Sequence, residues 1–158
     1  KLNKTDIVIL AGGRGSRIKK YLNKKPKPLI KINNFTFLDL LIKKICKYNF
    51  NKLYILAGYR GDQIKEKYHK KSFNFVKTEV IIEKKALGTA GSLSQLYNKV
   101  KNDFIVINGD TFFDINLSEV INFKLKKDEI FLSLVKNHNY KSNKKLTFLK
   151  LNRDNQIF

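Results

Sequence analysis

The chain has 158 residues, of which 42% are hydrophobic and 29% charged, a balance typical of a globular domain with its own core. No apolar run approaches the roughly 20 residues that a membrane-spanning helix needs, and the polar start predicts no signal peptide. The single cysteine, Cys46, excludes a disulfide framework and a multi-cysteine metal site. We therefore expect a cytoplasmic protein with no membrane partner.

The formal net charge of +20 comes almost entirely from lysine. Lysine, asparagine and isoleucine are all abundant, which is the profile that an AT-rich genome produces without selection for a ligand. The basic residues are spread along the chain, whereas a nucleic-acid-binding domain concentrates them on one face. We expect a preference for anionic small molecules and no nucleic-acid partner. A nucleic-acid-binding domain remains the alternative that a one-sided cluster of lysines would support.

Six short runs, rich in β-branched residues, are predicted to be strands. They cover residues 6–11, 52–57, 78–82, 104–107, 130–135 and 145–151. The first run is apolar throughout and is ended by Gly12 and Gly13, which predicts a strand that is buried on both faces.

Between these runs, apolar residues recur at helical spacing. Four helices are predicted: one capped by Thr36, with Leu38, Leu41, Ile42 and Ile45 on one face; one capped by Asp62 and running to Tyr68; one entered through Gly88–Gly91 and carrying Leu93, Leu96, Tyr97 and Val100; and one over Leu117–Leu125, capped by Asn116 or Ser118.

Strands that alternate with helices at this spacing predict βαβ units. The predicted fold class is a three-layer, Rossmann-like α/β fold whose mixed, mainly parallel sheet carries helices on both faces. No linker, repeat or low-complexity tract divides the chain, so residues 1–158 are expected to form a single domain. Because the chain begins without methionine and stops shortly after a predicted strand, we expect it to be truncated at its C-terminus.

Ligands of open α/β sheets bind at the carboxyl ends of the strands, and three motifs fall there. The first is residues 10–17 (LAGGRGSR), directly after the first predicted strand. Its glycines let the backbone turn tightly and direct N–H groups at an anion, and its arginines suit phosphate oxygens. No Gly-Lys-Ser/Thr follows, so it is not a P-loop, and Ile18 stands where a dinucleotide fingerprint needs its third glycine. A plain glycine-rich turn is the structural alternative.

The second motif is residues 24–29 (KKPKPL), and the third is residues 108–110 (NGD) at the end of the fourth predicted strand. The two prolines are predicted to hold the second motif extended, so that a lysine reaches a second phosphate. Asp110, beside a phosphate site, suits Mg²⁺, which takes one or two carboxylates together with substrate oxygens. Taken alone, these motifs also fit a surface stretch and an Asx turn. Together the three predict a nucleoside triphosphate held by amides and cations, with a metal opposite.

Three features resemble, in order and spacing, those of the sugar-1-phosphate nucleotidylyltransferases: the glycine loop within residues 10–17, the downstream Lys-Pro and the later Gly-Asp. The chain resembles that family over essentially its whole length. Residues 83–91 (EKKALGTAG) resemble the family's base-recognition segment. With residues 108–114 (NGDTFFD), they are most similar to guanylyltransferases of mannose and heptose 1-phosphates. The resemblance implies the nucleotide-diphospho-sugar transferase fold, with Mg²⁺ as cofactor. It implies that GTP and a sugar 1-phosphate give an NDP-sugar and pyrophosphate, for capsule or lipopolysaccharide synthesis.

The resemblance also implies roles for individual residues. Arg17 would grip the triphosphate and stabilise the departing pyrophosphate, Lys27 would meet the α-phosphate, and Asp110 would bind the first metal ion. The implied nucleotide-binding residues are Leu10, Ala11, Gly12, Gly13, Arg14, Gly15, Ser16, Glu83, Gly88, Thr89, Asn108 and Gly109, with Glu83 and Gly88 at the base. The family's second metal aspartate and much of its sugar pocket correspond to positions beyond Phe158, so we expect this chain to be the nucleotide-binding portion.

Two alternatives stay open at this point. Cytidylyl- and thymidylyltransferases share much of this scaffold. A catalytically silent regulatory or assembly subunit would fit the missing C-terminal portion, although the presence of Arg17, Lys27 and Asp110 argues against it. A phosphate monoester is already an anionic nucleophile, so we expect no catalytic histidine. The oligomeric state, including a homo-oligomer, is left open.

Overall fold

Five strands form one sheet in the computed structural model, which describes residues 4–22 and 24–122. The strands and helices of the described residues are β1 (Asp6–Ala11), β2 (Lys31–Ile32), β3 (Phe35–Thr36), α1 (Phe37–Ile45), β4 (Lys52–Ala57), α2 (Gly61–Tyr68), β5 (Ser72–Phe73), β6 (Val76–Ile82), α3 (Gly88–Ser94), β7 (Phe104–Asn108) and α4 (Leu117–Asn122). The sheet has the order β5–β6–β4–β1–β7, and only the β5–β6 pair is antiparallel. The predicted mixed, mainly parallel sheet is confirmed.

The first predicted strand, β1, lies between two parallel neighbours. Ile7 pairs with Leu53 of β4 on one side and with Ile105 of β7 on the other. Ile7, Val8 and Ile9 are fully buried, as a strand covered on both faces requires. This pairing fixes the carboxyl end of β1, from which the glycine loop departs, between the ends of two other strands.

Helices cover both faces of the sheet. On one face, Ile7 and Ile9 belong to a core that includes the buried residues of α1, α2 and α4, namely Leu38, Leu41, Ile42, Ile45, Ile64, Tyr68, Leu117 and Ile121. On the other face, Val8 and Leu56 pack with Leu93 and Leu96, from α3 and the turn after it. The predicted three layers are confirmed. No helix in the described part of the chain combines the length and apolar character that crossing a bilayer requires.

The start of α1 is fixed by the predicted cap. The Thr36 hydroxyl accepts a hydrogen bond from the Asp39 N–H at 3.1 Å, and the Asp39 carboxylate accepts one from the Thr36 N–H at 2.8 Å. The same carboxylate accepts hydrogen bonds from Lys67 at 2.6 Å and from the Tyr68 hydroxyl at 2.8 Å. The cap of α1 is thereby tied to the last turn of α2.

The charge of Asp39 should make folding stability depend on pH. Partial burial opposes its ionisation, but the hydrogen bonds from Lys67, Thr36 and Tyr68 together outweigh that effect and lower the pKa of Asp39 from 3.8 to about 2. Because this pKa is lower in the folded state, the stabilisation is present above about pH 4 and is lost as the pH falls through 2. The shift corresponds to about 2 kcal/mol at neutral pH.

Urea unfolding of the chain and of Asp39→Asn at pH 7, 4 and 2.5 checks this expectation. The difference in unfolding free energy between the two proteins should shrink as the pH falls. Asp62→Asn, which alters an exposed carboxylate in the first turn of α2, is the matched control and should change little. A difference for Asp39→Asn that is equal at all three pH values would contradict the assigned cause.

The predicted cap of α2 is wrong. The helix begins at Gly61, so Asp62 lies inside its first turn. Arg60 precedes the helix in the left-handed conformation, with φ of 53°, and makes no side-chain cap. The chain therefore enters α2 through a tight turn that closes with the Gly61 N–H bonded to the Gly58 carbonyl at 2.9 Å.

The third predicted helix is shorter than its apolar spacing indicated. α3 begins at Gly88 and ends at Ser94, so Leu96, Tyr97 and Val100 lie beyond it. Leu96 is buried in the second core, but Tyr97 is 86% exposed and does not share its face. Glycine and serine, which are weak helix formers, make up most of α3, and this composition explains its early end.

The fourth predicted helix begins where expected. Asn116 is its cap, because the Asn116 Oδ1 accepts a hydrogen bond from the Ser118 N–H at 3.1 Å. Residues 123–125 of that predicted helix, and the predicted strands at 130–135 and 145–151, lie outside the described residues.

Candidate functional site

A cleft of about 670 Å³ lies at the carboxyl ends of β1, β4, β6 and β7. Thirteen of its lining residues are ones that the sequence predicted for the site: Leu10, Ala11, Gly12, Gly13, Arg14, Gly15, Ser16, Lys27, Glu83, Gly88, Thr89, Asn108 and Asp110. The three motifs, of which the third lies far from the other two in the chain, therefore line one cleft, at the edge of the sheet where the topology predicted it.

Gly109 is the one predicted residue with a described side-chain position that does not line the cleft. Gly109 lies behind it, where its N–H donates to the Leu10 carbonyl at 2.8 Å and ties the end of β7 to β1. A Cβ at Gly109 would lie 2.8 Å from that same oxygen, so this close approach requires glycine. The side chain of Arg17 lies outside the described part of the structure, and its predicted role stays a prediction.

The glycine loop is shaped by a contact that the sequence did not predict. The Gly12 carbonyl accepts a hydrogen bond from the Tyr59 N–H at 3.2 Å. Next to it, a Cβ on Gly58 would lie 2.7 Å from the Gly12 carbonyl oxygen and 2.9 Å from the Gly12 Cα. The loop after β1 therefore sits directly on the turn after β4, and only glycine at position 58 allows that distance.

The second motif is not extended as predicted. Residues 27–29 form a single 3₁₀ turn, in which the Leu29 N–H bonds to the Pro26 carbonyl at 2.9 Å. Proline favours the first turn of a helix because its φ is already suitable and its missing N–H is not needed there, and Pro28 takes that place. The turn packs on Gly15, whose φ is +61° and whose Cβ would lie 3.3 Å from the Lys27 Cβ. Lys27 is thereby held beside the loop.

Lys27 and Asp110 meet across the cleft. The Lys27 Nζ lies 2.7 Å from the Asp110 Oδ2, and the two side chains are 36% and 44% exposed. An ion pair this open to solvent contributes about 0–1 kcal/mol to stability. The stability that this ion pair contributes is therefore too small to explain why a lysine and an aspartate, both fixed by tight turns, face each other here. A ligand that carries both phosphate groups and a cation would satisfy both residues.

The donor set fits a divalent metal that shares its ligands with a phosphate substrate. Within residues 4–22 and 24–122, no group of three or more histidine, cysteine or acidic side chains is placed to hold a metal ion. Asp110 offers one half-exposed carboxylate at the cleft. Mg²⁺ commonly takes one or two carboxylates and completes its shell with phosphate oxygens and water.

The opposite wall of the cleft carries a second carboxylate. Glu83 follows β6, and its N–H donates to the Ala57 carbonyl at 2.8 Å. Its carboxylate oxygens lie 3.4 and 3.6 Å from the point where a Cβ on Gly12 would stand, so they face the glycine loop. The Ser92 hydroxyl contacts the Glu83 Oε1 from behind and also lies within hydrogen-bonding distance, 2.7 Å, of the Gly88 carbonyl.

Among the residues that the structure describes, the cleft is also lined by five that the sequence did not predict: Ile18, Pro28, Leu56, Ala86 and Ser92. The sequence could have predicted Ser92 at the cleft, because it stands four residues after Gly88 and therefore on the same side of a helix. The sequence could not have predicted Leu56 there, since its place in the cleft depends on which strand neighbours β1.

Comparison with known proteins bears on this cleft. A family model described as nucleotidyl transferase matches residues 6–155. D-glycero-alpha-D-manno-heptose 1-phosphate guanylyltransferase from Campylobacter jejuni is 37% identical over 127 residues, which is 80% of this chain and 56% of that protein. The crystal structure of HddC from Yersinia pseudotuberculosis complexed with GMP-PN has a TM-score of 0.66 and 32% identity, and the match covers 74% of this chain and 52% of that one.

The fold is shared more widely. The inositol-1-phosphate CTP transferase from T. maritima has a TM-score of 0.54 at 18% identity, over 68% of this chain and 44% of that one. This likeness shows the fold alone. The chain spans about half the length of the heptose 1-phosphate guanylyltransferases it matches.

Proposed function

The chain belongs to the nucleotidyl transferase family. From that membership, and from its likeness to a heptose 1-phosphate guanylyltransferase, we propose that the protein joins the nucleotidyl group of GTP to a heptose or mannose 1-phosphate. The family acts on nucleoside triphosphates and sugar phosphates and generally uses a divalent metal ion. The observation that carries the proposal is the Lys27–Asp110 pair beside the glycine loop, in one cleft at the ends of the strands.

The proposed reaction needs placement and charge rather than a covalent intermediate. An oxygen of the sugar 1-phosphate forms a bond to the α-phosphorus, and the bond from that phosphorus to the bridging oxygen breaks. Pyrophosphate leaves with the electron pair, and no proton must be removed from the nucleophile. Such transfers are catalysed by holding the reactants in line and by stabilising charge on the phosphate oxygens.

The chain's own groups suit this work. The backbone N–H groups of the loop at 12–15 line the cleft and can cradle phosphate oxygens. Lys27, freed from Asp110, would place its ammonium group on the α-phosphate. Asp110 would hold a divalent ion, which when bound neutralises part of the triphosphate charge. Arg17, two residues beyond that loop, would act on the departing pyrophosphate.

Glu83 supports guanine as the base. The Watson–Crick edge of guanine presents two adjacent donors, N1–H and the 2-amino group, and a carboxylate accepts both. Adenine and cytosine each present a donor next to an acceptor, and uracil and thymine present one donor between two acceptors. Glu83 faces Gly12 within the cleft, where it can meet that edge. The guanylyltransferase relative and the structure complexed with GMP-PN agree with this choice.

Glu83→Gln should therefore lower kcat/KM for GTP by about 10–100-fold, because one acceptor is replaced by a donor that faces a donor. The measurement compares GTP, ATP, CTP, UTP and dTTP with the full-length protein and a sugar 1-phosphate. Glu66→Gln, an exposed carboxylate on α2 that does not line the cleft, is the control and should leave the preference intact. A wild-type protein that prefers CTP or dTTP would replace the guanylyl proposal with the cytidylyl or thymidylyl one.

A further inference from the structure

Ser92 carries a buried hydroxyl group that lines the cleft and is not part of the hydrophobic core. It is 6% exposed and is one of four buried polar or charged residues in the described ranges, with Asp6, Thr36 and Thr78. Thr36 serves the cap of α1, and Asp6 is bonded to Asn51 at 2.8 Å. Ser92 instead lines the cleft and contacts the carboxylate of Glu83.

The hydroxyl has one proton and two acceptors within reach. These are the Oε1 of Glu83 and, at 2.7 Å, the carbonyl oxygen of Gly88. A hydrogen bond to a charged acceptor is the stronger of the two, so the proton favours the carboxylate. The Gly88 carbonyl, one helical turn earlier, is the competing acceptor for the same proton.

Glu83 is consequently confined from two sides. Ser92 contacts its Oε1 from α3, and the glycine loop lies close to both oxygens, which are 3.4 and 3.6 Å from the Cβ position of Gly12. A glutamate side chain has three rotatable bonds and loses considerable freedom when it is held. A carboxylate that is already held loses less freedom when a base arrives.

We propose that Ser92 is a positioning residue, which holds the Glu83 carboxylate in the orientation that base recognition needs and so sets how sharply the site discriminates between bases. This inference rests on the proposed function, in which Glu83 meets the base. Ser92 acts through Glu83 and does not touch the reacting atoms.

Ser92→Ala should raise the KM for GTP by about 3–10-fold and leave kcat nearly unchanged, because the lost contact serves ground-state binding as much as the transition state. The ratio of the Kd for ATP to the Kd for GTP, measured by calorimetry on the full-length protein, should fall by a similar factor. In a Glu83→Ala background, which removes the acceptor of the Ser92 hydroxyl, Ser92→Ala should change neither quantity.

Ser94→Ala is the matched control. Ser94 lies on the same helix, and its hydroxyl also bonds to a main-chain carbonyl, that of Gly91, at 2.8 Å. It is exposed and does not line the cleft, so its loss should leave base discrimination unchanged.

The outcomes separate this inference from the function on which it rests. Unchanged discrimination in Ser92→Ala, together with a large effect of Glu83→Gln, would overturn the positioning role and leave the guanylyl proposal standing. Equal losses for Ser92→Ala and Ser94→Ala, or a loss that persists in the Glu83→Ala background, would also overturn it. A wild-type preference for another base would overturn the guanylyl proposal, and the positioning role would then stand or fall by whether Ser92→Ala erodes that other preference.

Discussion

Lys27→Met should lower kcat/KM for nucleotidyl transfer by about 10²–10³-fold, the usual cost of removing one preorganised charge from a developing oxyanion. The ammonium group of Lys27 lies at the cleft beside the glycine loop and within 2.7 Å of Asp110. Methionine keeps the aliphatic stem that packs near Gly15 and removes only the charge. The loss should fall on kcat more than on KM, because the charge on the α-phosphate oxygens grows in the transition state.

The same variant should keep its stability. The ion pair is more than a third exposed at both ends, and such pairs contribute at most about 1 kcal/mol. The melting temperature should therefore move by no more than about 4 °C. Lys25→Met is the matched control, because Lys25 is exposed, stands two residues earlier and does not line the cleft. Activity of Lys27→Met within a few-fold of wild type would exclude Lys27 from catalysis, and a fall of ten degrees would make the pair structural.

Gly58→Ala should both destabilise the fold and abolish nucleotide binding. The added methyl would stand 2.7 Å from the Gly12 carbonyl oxygen and 2.9 Å from the Gly12 Cα, and both are backbone atoms that cannot rotate away. Overpacking of this kind costs about 1–3 kcal/mol. It would also push the glycine loop out of the cleft, since that loop rests on the turn after β4.

Thermal unfolding and calorimetric titration with GTP check this expectation. The melting temperature should fall by about 2–4 °C for each kcal/mol lost. Gly13→Ala is the matched control for stability, because no atom lies within 4 Å of its Cβ position. Equal melting temperatures for the two variants would show that the loop is not held against the turn as described.

What the sequence predicted well was local. The buried strand β1 follows from one continuous apolar run, and the cap of α1 follows from Thr36 with Asp39 three residues later. The three motifs of the cleft were found because each stands at the carboxyl end of a predicted strand or close to it in the chain. Their meeting then follows from the parallel arrangement of the strands.

What the sequence did not predict depends on distance in space. The contact between Gly58 and Gly12 exists because β4 neighbours β1, and nothing in the sequence around either glycine indicates that these two strands pair. The shape of the Lys27 turn was missed because the same two prolines suit an extended segment and a 3₁₀ turn. Spacing alone predicts that Tyr97 lies on the third helix, but α3 ends at Ser94 and Tyr97 is exposed beyond it.

The most direct test is the reaction itself. Full-length protein with Mg²⁺ and GTP should release pyrophosphate only when a heptose or mannose 1-phosphate is present, and an equal amount of the GDP-sugar should appear. Lys27→Met should suppress both products together. Release of inorganic phosphate in place of pyrophosphate, or pyrophosphate without any sugar phosphate, would contradict transfer to a sugar. A folded protein that makes no nucleotide sugar from any of the five common nucleoside triphosphates and either sugar phosphate would contradict it as well, and would favour a catalytically silent relative.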